Sequence, residues 1–220
     1  KESDEARADI LRRIRGAQAR GAAAAPVQQD NIESYLEAHP RGPVRPAALD
    51  LVAAFRACAE ANQSTTALVR SMAEVPRALA EYLSRNDLPK KGCMWPSLAG
   101  IDWKTHGVEL EPRVAYGHDP IGVTGSFAAI AETGTLMVVS SPDSPSSVSL
   151  LPETHVAVLL ASRIFAHMED AWDLARRELR QLPRAVNFIS GPSRTADIEQ
   201  EMILGAHGPY RVHIIVVSEE

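Results

Sequence analysis

The sequence predicts an α/β protein, a layered sheet covered by helices on both faces. Helical and strand-like patterns alternate between residues 47 and 95, as a sheet buried on both sides requires. Residues 185–217, AVNFISGPSRTADIEQEMILGAHGPYRVHIIVV, read as a strand, a crossover helix and a second strand, the pattern of a parallel pair. Of 220 residues, 45% are hydrophobic and 23% charged, the balance of a soluble globular chain long enough for a sizeable core.

Taken in order, residues 5–20 form an amphipathic helix whose narrow apolar stripe, Ile10, Leu11 and Ile14, runs among arginines. So small a stripe serves either docking onto a partner or ordinary packing at the domain edge. Residues 21–25 are a joint. Pro26, Pro40, Pro43 and Pro46 mark a loop-rich passage in which 31–38 make a short helix. This connection, 1–46, is expected to precede one α/β domain over 47–220.

Residues 47–60 are a helix opened by Pro46, with Leu51, Val52 and Phe55 facing inward. Residues 65–69 are a strand, 76–85 a helix again opened by Pro, and 93–95 a short strand; 101–113 fit neither pattern. Trp95 and Trp103 read as core or edge aromatics rather than ligand stackers. Apolar runs at 127–131 and 136–139, parted by Glu132-Thr133-Gly134-Thr135, predict a hairpin or bulged bend with Gly134 at positive φ. Residues 140–149, rich in Ser and Pro, read as an exposed loop, 156–160 as a buried strand and 163–181 as a long helix. Residues 185–189 are a strand broken by Ser190-Gly191-Pro192-Ser193. A helix over 196–204, capped by Ser193 or Thr195, follows, and 211–217 is a β-branched strand.

Composition excludes several function classes. Net charge is −5 with no extended Lys/Arg block, so a nucleic-acid partner is not expected. No run of about 18 apolar residues exists to span a membrane. The polar start, Lys1-Glu2-Ser3-Asp4, lacks a signal-peptide core, which makes the cytoplasm the expected location. Only two cysteines occur, Cys58 and Cys93, without CxxC spacing and short of the four or so thiolates an iron–sulfur cluster takes. The seven histidines show no HExxH or HxxxH spacing. Phosphate-loop, nucleophile-elbow and dinucleotide fingerprints are absent, so no cofactor is expected on this chain.

Two stretches carry candidate chemistry. In a parallel unit ligands gather at carboxyl ends of strands, here Gly191, Ser193, Arg194 and Thr195. Backbone N–H groups at a helix start suit a phosphate or carboxylate, and Arg194 adds a bidentate clamp. Asp197 and Glu199 already place negative charge there, so the alternative is a well-capped helix with Arg194 pairing its own acids. Glu132, with Thr133, Gly134 and Thr135, sits at a strand tip. There it serves as a base, as a nucleophile if partly desolvated, or as a turn carboxylate accepting backbone N–H groups.

GPSRTADIE followed by GAHGP, GVTGSFAAIAETGTLMV at 122–138 and SLLPETHVAV at 149–158 together resemble the LUD-domain proteins, most closely their lactate-utilisation protein C (LutC) group. The three blocks stand in that family's order and cover roughly the last half of the chain. The resemblance implies a NagB/RpiA/CoA-transferase-like fold and a part in oxidising L-lactate to pyruvate with two iron–sulfur proteins, which would carry the clusters. His155 and His207 lie in these blocks, and a cleft joining them to Glu132 and Arg194 would set a carboxylate, an imidazole and a guanidinium around a small anion. The alternative for each imidazole is a hydrogen bond that fixes a loop. Distant relatives of the same fold include CoA-transferases with a glutamate nucleophile, so a stand-alone transferase-like or sugar-phosphate-isomerase-like enzyme remains a second reading. A sensor for a small carboxylate or phosphate is a third.

Overall fold

The structure is a computed structural model and describes residues 2–17, 26–179, 181–195, 203–205 and 207–219. Two units divide the chain, residues 1–44 and 45–220. The first carries α1 (Glu2–Ala17) and α2 (Pro26–Ala38). Helix α2 starts five residues earlier than the pattern predicts, because Pro26 at its first turn lacks only an N–H that would have no intrahelical partner. Ile10 and Ile14 on α1, and Ile32, Tyr35 and Leu36 on α2, are exposed.

In the second unit α3 (Leu51–Ala61) begins later than Pro46 suggests. Asp50 is its N-cap and accepts the Ala53 N–H at 2.9 Å, and a carboxylate there is a stronger start signal than the proline. Then come β1 (Thr65–Val69), α4 (Val75–Arg85), β2 (Lys91–Met94), β3 (Glu109–Pro112) and β4 (Ile121–Gly125). These are followed by β5 (Ala128–Ile130), β6 (Thr135–Val139), α5 (Ser147–Leu150), β7 (Thr154–Leu160), β8 (Ile164–Phe165) and α6 (Met168–Glu178). The last elements are β9 (Val186–Ile189), β10 (Arg194–Thr195), β11 (Ile203–Leu204) and β12 (Arg211–Val217).

Six strands form one sheet in the order β1-β12-β7-β4-β2-β3, every neighbouring pair parallel. Its middle strands are apolar on both sides, as a sheet buried on both faces demands. Val212, Ile214 and Val216 meet Phe55 and Ala59 of α3, whereas Ile215 and Val217 meet Val75, Leu79 and Leu83 of α4. A smaller sheet, β8-β5-β6-β9, lies on the α3 side, and α6 covers its outer face through Ala171, Leu174 and Ala175. The layered α/β sheet with helices on both faces is therefore the one predicted. The β5–β6 hairpin is present as well, with Gly134 at φ +63°.

Four expectations are corrected. Strands β9 and β12 do not form one parallel unit. Strand β9 has no fully buried residue and pairs antiparallel with β6, while β12 is buried on both faces and enters the large sheet. Of the helix expected over 196–204, residues 196–202 lie outside the described residues. Ile203 and Leu204 are strand, paired with Thr195 and Arg194. The long helix starts at Met168 because Ile164 and Phe165 pair with Ala129 and Ile130, and Asp170 accepts the His167 N–H at 3.1 Å. The loop at 140–149 is not wholly exposed, since Val148 and Ser149 of α5 are fully buried.

Candidate functional site

The β5–β6 turn is where chemistry collects. Ala131 and Glu132 donate their N–H groups to Phe165 O and Ala166 O at 2.8 and 3.2 Å, which holds the turn beside the start of α6. There the Glu132 Oε2 lies 3.0 Å from His167 Nδ1, with 30% of the carboxylate side chain and 9% of the imidazole exposed. A carboxylate hydrogen-bonded to a shielded imidazole orients the ring, which sets the geometry that a proton-accepting pair needs. His167 is the partner that sequence reasoning missed. Its signal was local, an acid three residues on at Asp170, which marks a helix start and so places the ring at a fixed corner.

Asn62, at the end of α3, ties the predicted ligand-binding residues together. Its Nδ2 donates to Thr133 O at 2.8 Å, and its own carbonyl accepts Arg194 Nη2 at 2.8 Å. Gly134 and Gly191 (φ +89°) both abut this helix end. A Cβ on Gly134 would come 2.3 Å from Ala59 N, and one on Gly191 2.1 Å from Asn62 O. Hydroxyls continue the seam: Thr133 Oγ1 to Thr135 Oγ1 at 2.7 Å, and Thr135 Oγ1 to Ser190 Oγ at 2.6 Å. The Cys58 thiol lies 3.7 Å from Glu132 O. Nothing in the sequence around Asn62 marks it; only the tertiary fold gives it this place.

Beyond Arg194 the GPSR and GAHGP loops lie against each other. Ser193 N–H donates to Pro209 O and Gly205 N–H to Ser193 O, both at 2.9 Å. Thr195 pairs with Ile203, and His207 is exposed. This corner lies at the amino ends of β7 and β12, where Arg211 meets Glu153 at 3.0 Å, not at the carboxyl ends expected for a parallel unit. The cause is the strand exchange described above, because β9 delivers its loop from the smaller sheet.

His155 is elsewhere. It is fully buried on β7, its Nε2 2.8 Å from Thr124 Oγ1, and burial alone pushes its pKa down to about 4. The structure thus gathers Glu132, Thr133, Gly134, Thr135, Gly191 and Arg194 around Asn62, with His167 in the place expected for His155. His213 is structural, as its strand position suggests: it bonds Thr65 Oγ1 at 2.8 Å and stacks on Tyr82 with ring centroids 3.8 Å apart. Cys58 and Cys93 are both free thiols. Among the described residues no three His, Cys, Asp or Glu side chains stand together as a metal-ligand set, and no helix is long and apolar enough to cross a membrane.

A family model described as the LUD domain matches residues 102–217. The chain is 36% identical over 129 residues to "Lactate utilization protein C" of Bacillus subtilis, 57% of this chain and 54% of that protein. It is 41% identical over 106 residues to the protein so named from Shouchella clausii, 46% of this chain and 44% of that one. The chain spans about half the length of the curated relatives it matches. Among solved structures, a DUF162 family protein from Deinococcus radiodurans superposes with a TM-score of 0.59 at 22% identity, covering 78% of this chain and 99% of that one. That likeness concerns the fold alone.

Proposed function

Because the chain belongs to the LUD-domain family, we propose that it serves the oxidation of L-lactate to pyruvate in the cytoplasm, as a substrate-handling or accessory subunit beside two iron–sulfur proteins. The observation that carries this reading is the likeness to proteins named lactate utilization protein C, at 33% to 41% identity. With two cysteines, the chain is short of the thiolates a cluster takes, so the clusters belong to the partners. The seam around Asn62 supports the substrate-handling part. Arg194 suits a carboxylate, and the Glu132–His167 pair can receive the hydroxyl proton, while the two electrons leave to the partners and the C2 proton passes to solvent.

The test mixes this chain with its two iron–sulfur partners and follows L-lactate-dependent dye reduction. Activity is expected to need the chain. Loss of about 100-fold on Glu132→Gln would place proton handling on this seam, and full activity with Glu132→Gln would leave an accessory role. If the chain made no difference, the lactate assignment would fall. The Glu132–His167 contact also favours a second reading, a stand-alone CoA-transferase-like or sugar-phosphate-isomerase-like enzyme. Turnover of an acyl-CoA or a sugar phosphate by this chain alone, abolished by Glu132→Gln, would establish it in place of the first.

A further inference from the structure

The large sheet ends in β1 on one side and β3 on the other, and the sequence treats the two edges differently. Strand β3 reads Glu109-Leu110-Glu111-Pro112, with two exposed carboxylates and a proline that has no N–H to offer. Charges and proline are the devices that keep a sheet edge from pairing with another chain. Strand β1 reads Thr65-Thr66-Ala67-Leu68-Val69 and carries neither, and its Leu68 is 50% exposed. Among the described residues β12 is its only strand neighbour.

The pairing with β12 fixes which backbone groups β1 leaves over. Ser218 N–H donates to Val69 O at 2.9 Å, so Val69, and by alternation Ala67 and Thr65, turn their groups towards β12. Thr66 and Leu68 turn theirs the other way. Beside the strand a groove of about 320 Å³ separates it from α4, lined by all five residues of β1 and by Arg77, Ala78 and Glu81. Thr66 is held in place on the opposite face, where its Oγ1 accepts Arg56 Nε–H at 2.9 Å and donates to the Glu60 carboxylate.

We propose that β1 joins two copies of this chain, antiparallel, about a two-fold axis through Ala67. In that register Thr66 of each copy opposes Leu68 of the other, and the outward N–H and C=O groups of both residues find partners. Ala67 meets its own counterpart in the close, non-hydrogen-bonded position, where Cα atoms come to about 4.5 Å and a small side chain fits. Leu68 lays its exposed side against a β-branched threonine. Charge argues for a second copy as the occupant. Glu60, 51% exposed with Arg56 3.9 Å away, stands at the Thr66 end of the strand, and the exposed Arg70 follows its other end. Antiparallel pairing brings Arg70 of each copy to Glu60 of the other.

The experiment measures the mass of the full chain by sedimentation velocity between about 1 and 100 µM, a range over which association by mass action is read directly. The mass is expected to double across it, and exchange of the Leu68 amide with solvent to slow as it does. Leu68→Lys gives β1 the guard it lacks and should weaken association about tenfold or more, with an unchanged circular dichroism spectrum because the side chain is exposed. Arg70→Glu and Glu60→Arg should each weaken it, and the two together should restore it. Glu111→Lys, on the other edge, should leave it as it is. A monomer throughout the range, a dimer indifferent to Leu68→Lys, or a charge exchange that fails to restore pairing would overturn the assignment.

Discussion

Gly134 and Gly191 are the two residues whose replacement the seam tolerates least. Each has positive φ, and each faces backbone atoms of α3 or Asn62 that cannot swing aside as a side chain would. Gly134→Ala and Gly191→Ala are therefore expected to cost about 2 kcal/mol or more apiece in urea unfolding, more than an ordinary surface change. The buried imidazoles set a second residue-scale behaviour. Burial holds His155 and His213 near 4 against an ordinary 6.5, so both are neutral in the folded protein. The unfolded chain takes up their protons first. Stability is thus full above about pH 6.5 and declines as pH falls towards 4, by on the order of 3 kcal/mol per histidine once both forms are protonated. Thermal melts between pH 7 and 4 would show it, and His155→Gln, which can still bond Thr124, should flatten the decline. Asp119 adds a separate limb: the Arg113 guanidinium, 2.7 and 2.8 Å away, holds it down to about 2, so its contribution is lost only as pH falls from about 4 to 2.

At the scale of elements, local patterns found strands and hairpins well and misjudged where helices begin and which strands pair. The run 211–217 is apolar on successive residues and could belong only in a sheet buried on both faces, where it lies. Strand β9 carries Val186, Phe188 and Ile189, similar in composition, yet none of its residues is fully buried and its partner is the β6 hairpin arm. That distinction resides in tertiary pairing, not in the four residues themselves. Ile164 and Phe165 fitted the apolar side of a helix equally well, and only β5 beside them makes them strand. Glu132 and the two glycines were legible because turn chemistry is local; Asn62 and the choice of His167 over His155 were not, because both depend on what packs beside them. The start of α6 bears directly on the site. Asp170→Ala removes the acceptor for the His167 N–H and should cost about 1 kcal/mol of stability. It should also loosen the imidazole at Glu132, seen as shifted and broadened His167 ring resonances in NMR, whereas Asp170→Asn should largely restore both.

For the whole molecule, the division at residue 44 makes a claim about folding. Among the described residues the three core clusters draw every member from residues 51–217, and helices α1 and α2 contribute none. Helices of 16 and 13 residues with exposed isoleucines are marginal on their own in water, since helix stability in proteins comes mostly from packing an apolar face. Residues 45–220 are therefore expected to fold as an independent unit. Its melting temperature should lie within about 3 °C of the full chain's, a shift that corresponds to about 1 kcal/mol for a domain of this size. The Glu132 behaviour should be unchanged too, since every residue of the seam lies after residue 57. A fall of 10 °C or more would mean that α1 and α2 support the fold, and the two-unit description would have to be abandoned. An unchanged melt with lost lactate-dependent dye reduction would instead assign the exposed apolar stripes of α1 and α2 to work with the other proteins of the system.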